Sequence, residues 1–177
     1  MLRILLLTLA APTLALAQGA CPTAADLAAG IVLTRESGAT DTYAGDQVVV
    51  AHEEQSQLGA RTELLARGYL PISQQDEVGI MLTDWGAEPE ALPLPEPGTE
   101  WQRDVTYSSP GYTVGGQAGI QAGEAYQETV GGCLYTAVPV QLWLGDGSVR
   151  LTYLVELGVA YESIAPQDYV VGIAAVE

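Results

Sequence analysis

The sequence predicts a single, mostly-β domain: a curved, open antiparallel sheet or half-barrel with a short N-terminal helix, a two-sheet β-sandwich being the alternative. Three observations lead there. Residues 129–163 alternate apolar and polar on both sides of a Gly145-Asp146-Gly147-Ser148 turn, as a half-buried antiparallel hairpin does. Short β-branched and aromatic runs, punctuated by Gly, Ser, Asp and Pro, recur through the rest of the chain. No long helical period and no repeat of roughly 20–50 residues is present.

The first segment reads as a cleaved export signal covering residues 1–17. Arg3 gives a positive start, residues 4–16 an apolar stretch, and Ala15-Leu16-Ala17 a small-residue cleavage site before Gln18. The apolar stretch is shorter than the ~20 residues a spanning helix needs. Gln18-Gly19-Ala20 before Cys21 fits lipidation poorly. Residues 18–177 are then expected to form the one domain, with no transmembrane anchor and a periplasmic or secreted location. In that compartment Cys21 and Cys133 are expected to form a disulfide. Closing so long a loop is worth roughly 4–5 kcal/mol on a chain-entropy argument.

From Cys21 onward the elements follow in order. Thr23 and Asp26 make an N-cap pair, the alanines favour helix, and Gly30 can end it. Strands are expected over 31–36, 41–44 and 47–53, with turn chemistry between them. Residues 61–72 read as one further strand, because Gly68, Tyr69 and Pro71 argue against helix. Another strand covers 78–85. Residues 86–98 carry four prolines and three glutamates and read as a long surface loop inside the domain. Residues 101–109 resume alternation, and the glycine-rich 111–132 is expected to hold two short strands bent at Gly115-Gly116.

The central hairpin comes next. Leu134, Thr136, Val138, Val140, Leu142 and Leu144 share one face of its first strand. In the second strand Val149, Leu151, Tyr153, Val155 and Leu157 form the apolar face, with Leu154 an exception. Pro139 cannot donate to a ladder, so a bulge or an unpaired stretch is expected there. Residues 169–176 close the series as a last strand.

Charge excludes several functions. Of six basic residues one is Arg3, so processing leaves five arginines against 22 acidic residues, a formal charge of −17. Phosphate neutralisation needs clustered cations, so nucleic acid is not a partner, and anionic headgroups would repel the chain.

Catalytic signatures are missing. His52-Glu53-Glu54-Gln55-Ser56 begins like the zinc motif H-E-x-x-H, but Ser56 stands where the second His belongs. His52, the single histidine, is read as a strand-end residue. The sequence-adjacent acids Glu53/Glu54 and Asp76/Glu77 point to opposite faces of a strand and give no acid–base pair. Asp41 and Asp46 flank a turn and offer a weak Ca²⁺ signal, without the EF-hand pattern. No catalytic residue, metal ligand or cofactor is assigned. Nine tyrosines and three tryptophans supply amphipathic contact surface.

The stretches CPTAADLAAGIVL, TYAGDQVVV, LLARGYLPI and VGGCLYTAVPVQLW, with RLTYLVELGVAY, together resemble uncharacterised exported proteins of alphaproteobacteria. The final strands also resemble those of half-barrel periplasmic proteins related to the lipoprotein-localisation carriers, which implies an open sheet around an apolar groove. The function expected is a non-catalytic binding or envelope-assembly protein, engaging an apolar small molecule or another exported protein. An acidic-residue hydrolase and a Ca²⁺-stabilised structural domain are the alternatives.

Overall fold

The computed structural model describes residues 20–57, 59–163 and 169–176; the expected export signal lies outside them. The described chain forms strands β1 Ile31–Arg35, β2 Thr40–Gly45, β3 Val49–Ser56, β4 Gly59–Ala66, β5 Leu70–Gln75, β6 Ile80–Asp84 and β7 Glu100–Ser109. There follow β8 Tyr112–Ala122, β9 Tyr126–Val130, β10 Cys133–Leu144, β11 Gly147–Leu154, β12 Val159–Glu162 and β13 Val170–Ala175. All belong to one open antiparallel sheet in the order β12-β11-β10-β8-β7-β6-β5-β4-β3-β2-β1-β13, with β9 also beside β10. It is a single mostly-β domain whose sheet does not close into a barrel. Among the described residues no helix is long and apolar enough to cross a membrane.

The short helix before β1 is a 3₁₀ turn, Ala24–Ala28. Asp26 accepts hydrogen bonds from the Thr23 backbone N–H and hydroxyl, and Gly30 leaves the turn at positive φ. So short a turn has no stability of its own. It is held by Leu27, fully buried, by a bond from the Ala24 N–H to the Glu156 carbonyl, and by the Cys21–Cys133 disulfide.

Two apolar cores lie on opposite faces of shared strands. Leu27, Leu33, Tyr43, Tyr135 and Leu154 belong to one, and Trp85, Ile120, Val138, Leu142 and Tyr153 to the other. Adjacent residues in a strand point to opposite faces. Accordingly Leu65 and Ala66, Ala137 and Val138, and Tyr153 and Leu154 each split between the cores. This corrects the single apolar face expected for β10. Its buried residues change parity at Ala137/Val138, and Leu134 is 64% exposed. The apparent exception, Leu154, simply serves the other core.

Pro139 causes no bulge. Its register with Thr152 of β11 is unshifted. On the opposite edge β10 pairs with β9 through Ala137 and with β8 from Val140, so the missing N–H falls between two partners. Gly115 and Gly116 do not bend β8 either, because its pairing with β7 runs through both. A Cβ on Gly116 would stand 2.8 Å from the Tyr107 ring, so the glycine makes room for that ring.

Residues 61–72 are not one strand. The chain reverses at Arg67 and Gly68, both at positive φ, and returns as β5. Gly68 is confined: a Cβ there would lie 2.0 Å from the Gly158 carbonyl oxygen, while its own carbonyl accepts the Ala160 N–H at 2.9 Å. Arg67 turns inward from this reversal and donates to the carbonyls of Glu90 and Leu92, and Tyr69 Oη donates to Pro93 at 2.7 Å. These bonds, with buried Leu92, hold the proline-rich segment against the sheet. Gly68→Ala should therefore cost about 2–4 kcal/mol, combining left-handed backbone strain with overpacking. Urea unfolding measures it, and a variant as stable as the parent would refute this account.

Candidate functional site

The four-strand meander β2–β5 turns so regularly that residues eleven apart meet: Asp41, His52, Glu63 and Gln74. Register explains the row. Tyr43 pairs with His52, His52 with Glu63, and Glu63 with Gln74, so these side chains share a face. Asp41 lies two residues before Tyr43, and Arg61 two before Glu63, which keeps both on that face.

The side chains interlock. His52 Nδ1 is 2.9 Å from Glu63 Oε2, and its Nε2 is 3.0 Å from Asp41 Oδ1. Arg35 Nε donates to Asp41 Oδ2 at 2.8 Å, and Arg35 Nη1 to the Glu162 carbonyl at 3.0 Å. Gln74 donates to Glu63 Oε1. The Tyr43 ring stacks on the imidazole with centroids 4.6 Å apart, and its hydroxyl donates to the Ala160 carbonyl. Arg35, Asp41, His52 and Glu63 are only 4%, 0%, 6% and 7% exposed. Arg61 reaches in from the rim, 3.1 Å from Glu54 and 3.8 Å from Glu162.

Burial and bonding together set the protonation. With Asp41 and Glu63 ionised, each imidazole nitrogen faces an oxygen that only accepts, so both nitrogens donate and His52 is an imidazolium. Burial opposes that charge, but the hydrogen bonds to Asp41 and Glu63 outweigh it and raise the His52 pKa. Burial likewise pushes both carboxyls up. Bonds from His52 and Arg35 overcome this at Asp41, and bonds from His52 and Gln74 at Glu63, holding both below their ordinary range.

Beside this cluster lies a cleft of about 270 Å³ between β3–β5 and the β10–β12 side of the sheet. Arg35, His52, Arg61, Glu63 and Glu162 form its charged end. Leu65, Tyr69, Leu142 and Leu151 are among its apolar walls.

His52 is thus not a strand-end residue but sits inside β3, which continues to Ser56. Asp41 and Asp46 do not converge. The Asp41 carboxylate is bound by Arg35 and His52, and that of Asp46 accepts the Val48 and Val49 N–H groups of its own turn. Among the described residues no group of three or more His, Cys, Asp or Glu is placed to hold a metal. Cys21 and Cys133 are bonded, with Cα atoms 5.6 Å apart. Arg35, Arg61, Glu63 and Gln74 were not singled out by the sequence. The eleven-residue interval was the signal that could have found Glu63 and Gln74.

The fold and site define a class: an open antiparallel-sheet domain with a buried ionic cluster flooring a partly apolar cleft. No protein-family model matches the chain, and no curated protein matches it. Among solved structures it is similar to the hypothetical lipoprotein YmcC from Escherichia coli (K12), at 14% identity and a TM-score of 0.40, over 74% of this chain and 72% of that one. A likeness that distant assigns neither ligand nor activity.

Proposed function

We propose that this is an exported, non-catalytic binding protein that takes a small molecule with an apolar body into the cleft beside His52. The observation that carries the reading is the cleft itself, with apolar walls leading to a fixed set of charges, the usual composition of a ligand site. A non-catalytic role fits the protonation pattern. An imidazolium bonded at both nitrogens has no lone pair with which to take a proton, and Glu63, held ionised, has none to give. Export is supported by residues 1–17 and by the disulfide, which persists in oxidising compartments.

Titration with the fluorescent probe N-phenylnaphthylamine tests the reading. Saturable one-to-one binding is expected. Leu151→Trp, which fills the cleft from a half-buried wall position, should weaken it at least about tenfold while circular dichroism stays unchanged. Non-saturating binding, or equal binding by the variant, would reject the cleft as a ligand site.

A further inference from the structure

The ionic cluster sets three donors around one carboxylate. Glu63 Oε2 is held by His52 Nδ1 and Oε1 by the Gln74 amide, while Oε1 also lies 3.7 Å from Arg61 Nε, too far for a hydrogen bond. That Arg61 Nε is enclosed and has no acceptor among the described residues. Such a buried donor is costly, and the nearby carboxylate could satisfy it after a shift of less than an atomic diameter.

The groups around His52 decide what its proton controls. β1 contributes Arg35; β2 contributes Asp41 and Tyr43; β3 itself contributes Glu54; β4 contributes Glu63 and Arg61; and β12 contributes Glu162. When the imidazolium loses one proton to solvent, one ring nitrogen becomes an acceptor facing a carboxylate. Asp41 has no room to move: it is fully buried and still bound by Arg35. Nε2–H···Asp41 is therefore the bond that survives, and Nδ1 is the nitrogen laid bare. Glu63, which lines the cleft and whose remaining tie is the neutral Gln74 amide rather than a buried guanidinium, is the carboxylate that can shift.

We propose that His52 is a proton-operated latch on Glu63: loss of the Nδ1 proton passes the Glu63 carboxylate to the waiting Nε–H of Arg61 and changes what the cleft accepts. The effect on ligand rests on the binding reading above; the latch itself does not. In the protonated state the Glu63 charge is drawn back against the imidazolium, and the apolar walls meet a neutralised floor. In the deprotonated state the carboxylate moves to Arg61 Nε, and an apolar molecule meets a displaced charge that the imidazole no longer neutralises.

The single histidine makes the test direct, because one imidazole C2–H resonance reports its titration without assignment. N-phenylnaphthylamine affinity is measured across the pH range over which that resonance shifts. The expected result is a fall of at least about tenfold that tracks the histidine resonance, and is absent in Glu63→Gln and His52→Gln. An affinity that stays flat while the histidine titrates, or a fall that survives in Glu63→Gln, overturns regulation of the cleft. Crystals grown on either side of the transition test the latch independently. Glu63 moved to Arg61 at the higher pH supports it, and an unmoved carboxylate refutes it, whether or not the probe binds. If the probe fails at every pH while Glu63 moves, the binding reading fails and the latch stands.

Discussion

Cys133→Ala, or reduction of the parent protein, is expected to remove about 4–5 kcal/mol of stability, the largest loss any single bond in this chain should give. The bridge joins residues 112 apart, so opening it frees most of the unfolded chain. The folded side loses little by comparison. Leu27 stays in its core, and Tyr135 Oη still donates to the Pro22 carbonyl at 3.0 Å. The deficit should therefore appear with a steeper denaturant dependence, because the released chain exposes more surface on unfolding. Urea unfolding with and without reductant measures both. A change below about 1 kcal/mol would mean that the unfolded chain is already restricted without the bridge.

Asp41→Asn should cost about 3–5 kcal/mol, because it takes a buried negative charge away from two cations at once. Arg35 and His52 both take their charge partner from this carboxylate, and Asn keeps the shape while discarding the charge. The same cluster sets a pH window. Asp41 and Glu63 are depressed from 3.8 and 4.5, so their contribution is present above those values and is lost as pH falls through the lower, folded ones. His52 is raised from 6.5, so its contribution is complete below that value and is lost as pH rises through the higher, folded one. Cluster stabilisation is thus greatest between 4.5 and 6.5. Subtracting the melting temperature of Asp41→Asn from that of the parent, pH by pH, should give a curve that falls away on both sides. Parallel profiles would show that the cluster is not linked to folding.

Much of the fold could be read from alternation and turns. The β10–β11 hairpin turns at Gly145-Asp146, as its glycines indicate, and the Thr23/Asp26 cap and Gly30 stop mark the first turn correctly. What alternation cannot give is a direction when both faces of a strand are covered. Ala137 and Val138 are both buried, and the parity change between them records passage from one core to the other, a tertiary fact. Residues 61–72 misled because reversal at Arg67 relies on a non-glycine residue at positive φ, which propensity disfavours. The site was hidden for a related reason. Glu53 and Glu54 are sequence neighbours on opposite faces of a strand, whereas the partners that matter lie across the ladder. His52 meets Glu63, and Glu63 meets Gln74, only once β3, β4 and β5 are in register. The polar run from Gln55 made the strand seem to end at Glu53, although Glu53 and Gln55 are simply the outward half of a strand that continues to Ser56.

The pairing of β1 with β13 bears on the order of events in folding. Ile31 meets Ala175, so β1 becomes an interior strand only through β13, which follows the other twelve strands along the chain. The meander from β2 to β8 can assemble from local hairpins, but β1 must wait with one row of backbone N–H and C=O groups open. A chain paused at that stage displays an unsatisfied edge, the kind of template on which strands of other copies can add.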